Sequence, residues 1–98
     1  MFKKDSNRTP AVPVDRLRFF AGFPQRSLDD TATYYVAQFE HVAGMDQVDQ
    51  YYVAILDINA PVVSSDPCAV FAAALVWDYA PTIPVLAKKI SAWLGGAL

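Results

Sequence analysis

Cysteine is nearly absent from this chain. Cys68 is the only one among 98 residues, which excludes an internal disulfide framework. Histidine is as scarce, with His41 alone, and no acidic loop has the EF-hand spacing with its turn glycine. The common zinc and calcium ligand sets are therefore missing, and no cofactor is expected. Four glycines are scattered and none leads into Gly-Lys-Ser/Thr, so a phosphate-binding loop is excluded as well. The apolar run ending at Tyr79 is about 13 residues long, short of the roughly 20 that a helix needs to cross a bilayer. No apolar segment of signal-peptide type follows the charged N-terminus, so the expected location is cytoplasmic. With Pro10 next to it, the sequon Asn7-Arg8-Thr9 reads as a chance match.

Positive charge is missing over most of the length. Between Ser27 and Ala87 there is no lysine or arginine, while eight acids occur there. Lys3, Lys4, Arg8, Arg16, Arg18 and Arg26 crowd the first 26 residues against only Asp5 and Asp15, and Lys88 and Lys89 follow near the end. A net charge of −2 conceals this split. Such asymmetry suggests a basic leader that either reaches for an external anion or folds back onto its own acidic body.

Apolar residues, by contrast, are in surplus. They make up 54% of the chain before glycine is counted, against about 45–50% with glycine in ordinary domains. A chain this short buries only about two-thirds of the surface its unfolded form exposes. The excess predicts an uncovered apolar patch and hence a homo-oligomer or a protein partner.

The pattern along the chain reads as all-α, a small bundle of four to five helices around a central apolar helix. Residues 1–13 form a basic extended arm, and residues 14–98 form a single helical domain. A short helix is expected over Val14–Gly22, ended by Phe23-Pro24. From Ser27 to Gly44, Leu28, Ala32, Tyr35, Val36, Phe39, Val42 and Ala43 fall within one helical stripe, with Ser27 to Asp30 resembling a capping box. A strand there would place Gln38 and Glu40 on the same face as Tyr34 and Val36, which favours helix. Asp46–Ile58 repeats the helical pattern more weakly. The alternative is α+β, with strands near 34–42 and 51–58, since β-branched and aromatic residues suit a buried strand. Tyr-Tyr-Val-Ala occurs at both 34–37 and 51–54. Asp66 as N-cap and Pro67 at the first helical position open the central helix, which is apolar on every face through Tyr79 except at Asp78. Cys68 is expected to be buried within it. Ile83, Leu86, Ile90, Trp93 and Leu94 then mark a last helix that Gly95-Gly96 terminates.

Catalytic signals are sparse. His41 falls on the polar side of its element beside Glu40, and two adjacent helical residues do not face each other. Ser64, Ser65 and Asp66 are accounted for by capping. Asp57 and Asp78 sit in apolar runs, where a buried carboxylate needs a cation; Arg16 and Arg18 are the candidate partners for buried ion pairs. Unpaired, either aspartate would be a candidate acid–base group, which keeps a small enzyme as one alternative. A recognition helix for nucleic acid is excluded in the body by its lack of cations, leaving Lys3, Lys4 and Arg8 of the arm as candidate polyanion contacts. The favoured function is non-enzymatic: protein–protein interaction or assembly through surplus apolar and aromatic surface. Tyr34, Tyr51, Tyr52 and Trp93 are the interface candidates, and Trp77 is better placed as core.

Overall fold

The computed structural model of the protein describes residues 14–59 and 66–95. After one 3₁₀ turn at Val14–Arg16, three strands follow: β1 (Leu17–Arg26), β2 (Thr33–Gly44) and β3 (Gln47–Asp57). A short helix α1 (Pro67–Ala73), an edge strand β4 (Val76–Ala80) and a longer helix α2 (Ile83–Leu94) complete the described chain. The sheet is antiparallel throughout, in the order β1-β2-β3-β4. The all-α bundle is therefore wrong, and the α+β alternative holds where it was specified, at the two central strands.

The two Tyr-Tyr-Val-Ala copies lie on adjacent antiparallel strands, with Ala37 opposite Ala54. The β2–β3 hairpin turns at Met45-Asp46, where both residues have positive φ (47° and 65°). That is the twist a two-residue hairpin demands, here met without glycine. Gly44, expected to end a helix, instead pairs with Gln47 at the base of this turn. Phe20 is the extra residue of a bulge in β1, between the Phe19–Phe39 and Ala21–Gln38 pairs. Pro24, expected as a helix breaker, lies within β1, an edge strand where a missing N–H is tolerated.

The apolar stretch after Asp66 divides into two elements. Asp66 caps α1 by accepting from the Ala69 N–H, and Pro67 opens it as expected. The backbone turns extended at Ala74 (φ −66°, ψ 140°), and Leu75 N–H donates to Ile55 O at 2.8 Å, which delivers Val76 into the sheet beside β3. Being apolar on every side suits this segment for both a covering helix and a strand flanked by two packed layers, so periodicity alone did not separate them. Cys68, on this helix, is exposed rather than buried. The last helix forms as its stripe requires. Thr82 caps it, accepting from the Val85 N–H, and Leu86, Ile90 and Leu94 are buried.

Each sheet face carries its own core. On one, Val36, Val53, Ile55, Val76 and Ala80 meet Leu86, Ile90 and Leu94 of α2. On the other, Leu17, Ala37, Phe39, Tyr52, Ala54 and Leu56 meet Val70, Phe71 and Ala74 around α1. Strand alternation sorts the residues between these two layers.

Candidate interaction site

The α2 layer is incomplete. α2 packs mainly over β3 and β4 and reaches β2 at Tyr34 and Val36, so the β1 side of that face is left partly open. A cleft of about 390 Å³ results. Phe23 and Gln25 of β1, Gln38 of β2 and Leu28 of the β1–β2 loop form one side, and Ile83, Ala87, Ile90, Ser91 and Leu94 of α2 form the other. None of these nine side chains is charged. Two are large apolar groups standing in solvent, Leu28 at 75% exposure and Ile83 at 46%.

Leu28 is exposed yet held in place. Its backbone N–H donates to Leu94 O at 3.1 Å, which ties the loop to the C-terminal end of α2. Asp29 organises the rest of the loop. Its Oδ1 accepts from Ser27 Oγ at 2.7 Å, from Thr31 Oγ1 at 2.7 Å and from the Thr31 N–H at 3.1 Å. Those hydrogen bonds, led by the one from Ser27, hold the Asp29 carboxyl below its ordinary value. Asp30 takes the positive φ (63°) that closes the loop. These bonds fix the backbone that carries Leu28, so only its side-chain rotamers remain to be ordered on contact.

Charged groups sit beyond the two ends of the cleft, already paired. At one end Arg18 donates from Nε to Glu40 at 2.9 Å and from Nη1 to Asp46 at 3.0 Å. These hydrogen bonds, that to Glu40 foremost, hold its guanidinium more firmly protonated than usual. At the other end Arg26 pairs with Asp30 at 2.9 Å. Two arginines of the leader thus fold back onto the acidic body.

The remaining candidates are placed as follows. Asp57 is exposed at the end of β3, its carboxylate accepting from the Asn59 N–H at 2.9 Å, so it is not a buried ion-pair member. Asp78 is buried at 2% exposure, but the cation beside it is Lys89, 3.4 Å away, rather than Arg16 or Arg18. Lys89 also donates to Tyr79 O at 2.9 Å and lies over the Tyr79 ring. Arg16 is exposed at the start of the sheet, beside an open hollow of about 570 Å³. Asp15 and Arg18 charge that hollow too, and Arg18 is committed to Glu40 and Asp46.

Among the aromatic candidates, Tyr52 is buried at 4% in the α1 layer, and burial raises its hydroxyl pKa. Tyr34 packs edge-on against Trp93 at 4.8 Å, and Tyr51 against Phe20 at 5.9 Å, both on the α2 face. Trp77 packs with Phe71 and Tyr52. His41 is partly buried and pairs with Asp49 at 2.6 Å across the hairpin. Lys3, Lys4 and Arg8, and with them the arm and the sequon, lie outside the described residues, as do Ser64 and Ser65. Among the described residues no cluster of histidine, cysteine and acids suits a metal ion, and no helix is long and apolar enough to cross a membrane.

Leu28, Phe23, Gln38 and Ile83 were not singled out as site residues from the sequence. The signal was there in Gln38, whose polarity on an otherwise apolar alternation marks where cover stops. Compared with protein-family models, curated proteins and solved structures, the chain finds no match.

Proposed function

We propose that this protein is a non-enzymatic interaction module whose binding surface is the cleft between α2 and the β1–β2 half of the sheet. The observation that carries the proposal is a 75%-exposed Leu28, its backbone tied to α2, on the rim of a charge-free apolar cleft. Clefts with apolar walls and a few polar groups are the usual form of a binding site, and Gln25, Gln38 and Ser91 supply those groups here. Asp78, the buried carboxylate, holds the Tyr79 N–H at 2.7 Å and faces Lys89, an anchoring arrangement for the β4 edge.

Fluorescence of 8-anilinonaphthalene-1-sulfonate, with the protein diluted until it sediments as a monomer, tests the assignment. Enhancement is expected with the native chain and should drop in Leu28→Asp and Ile83→Asp. Neither change should unfold the protein, since both side chains already face water. Enhancement that ignores both substitutions would place the accessible apolar surface elsewhere.

A further inference from the structure

Resting on the interaction role proposed above, we infer that the occupant of the cleft is a second copy of this chain, joined so that the two α2 helices run antiparallel about a two-fold axis. The layout of the cleft is self-complementary. Ile83 stands at the N-terminal end of α2, and Leu28 stands at its C-terminal end, where it is bonded to Leu94. Between them lie Ala87 and Ser91, about 6 and 12 Å along the axis from Ile83 at 1.5 Å per residue. A two-fold axis near these two small residues carries each Leu28 onto Ile83 of the other copy. That reciprocity, in which residue i meets j and j meets i, is what an isologous interface requires. The small side chains at the axis let two helices approach to about 8–10 Å.

Charge argues for the same occupant. A two-fold axis sets identical groups near one another, so a charged patch repels its own copy. This cleft carries no charge, Arg18 and Arg26 at its ends are paired within the chain, and the exposed Lys88 lies on α2 outside the lining. A basic or acidic partner would find no complementary group on the lining. A stable interface takes about 800 Å² per partner, roughly one-seventh of the 5679 Å² surface. The cleft would form the centre of that area, with the uncovered strip of β1 and the adjoining flank of α2 as its border.

Sedimentation equilibrium of the full chain over a range of concentrations tests the inference. The native protein should be a dimer, and Leu28→Asp and Ile83→Asp should each weaken it about 30-fold or more, since each change breaks both symmetry-related Leu28–Ile83 contacts. Circular dichroism should stay unchanged. In a Cys68→Ser background, oxidising a mixture of Leu28→Cys and Ile83→Cys chains should give the mixed disulfide dimer in preference to either self-linked one. A native chain that stays monomeric at every concentration overturns the inference. So does a dimer that survives both aspartates and forms no mixed disulfide. If the chain is monomeric but the dye response still depends on Leu28, the interaction role stands and the second copy does not. If the dye ignores Leu28 and Ile83 as well, both fall.

Discussion

The two faces of the sheet carry helices of unequal length and pack against them with different side chains. α1 has 7 residues and α2 has 12. On the α1 face, large rings spread sideways from few backbone positions. Phe71 meets Phe39 at 5.3 Å, Trp77 at 6.3 Å and Tyr52 at 6.4 Å between ring centroids, and Phe19 meets Phe39 at 5.6 Å. On the α2 face the buried helix residues are aliphatic, and they meet Val36 of β2 as well as the residues of β3 and β4. Cover is thus set by side-chain reach as much as by helix length. The α1 face is packed largely through rings, while the α2 face leaves a cleft beside its helix.

Substitutions at the two helix anchors probe this contrast most strongly. Phe71→Ala should cost about 3–5 kcal/mol, a large part of the stability of so small a domain. Leu86→Ala, equally buried at 0%, should cost less, near the lower end of about 2–5 kcal/mol, because side chains beside an open cleft can move into the space. Urea denaturation measures both. A Leu86 penalty equal to or above that of Phe71 would break the contrast.

Gly22 offers a smaller test on the aromatic face. The Tyr35 ring lies across the space a Cβ would occupy there, with Phe19 also in the way. Gly22→Ala should therefore destabilise by about 1 kcal/mol as the rings are pushed aside. A stabilised variant would mean that this layer is looser than its ring contacts indicate.

Acid should act on the α2 side through the loop that fixes Leu28. Hydrogen bonds from Ser27 and Thr31 hold the Asp29 carboxyl below its ordinary value in the folded chain. Its contribution is present above the unfolded value and is lost as pH falls through the depressed folded value. The NMR shift of the Thr31 amide, followed from pH 6 downward, should report this midpoint, and Asp29→Asn should abolish the transition.

The smallest effect is expected at Met45, fully exposed at the hairpin tip with φ of 47°. Met45→Asn suits that left-handed conformation and should stabilise by about 0.5 kcal/mol, read as a rise of a few degrees in Tm. It should do so without affecting the cleft.

Much of the local chemistry was legible in the sequence, but the layer architecture was not. The cap at Asp66, Pro67 at the helix start and the α2 stripe follow from short-range backbone and packing rules that need no tertiary context. β2 was misread because Gln38 and Glu40 share a face with Tyr34 and Val36, a mixture that argues against a strand packed along its whole length. In the fold that face is covered only in part. Val36 lies in the α2 core, Gln38 lines the cleft and Glu40 reaches Arg18. The residues that made the strand look wrong are those that record the opening. The surplus of apolar residues pointed to exposed surface, but not to Leu28 or Ile83, because their exposure depends on where α2 ends its cover.

Backbone amide shifts of the native chain, recorded by NMR across a dilution series, test the central claim most directly. Shifts confined to Phe23, Leu28, Gln38, Ala87 and Ser91, with Phe71 and Trp77 unmoved, are what a contact surface on the α2 face predicts. An absence of shifts over the whole series would remove the second copy as occupant, and concentration-dependent shifts centred on the α1 face would contradict the surface itself.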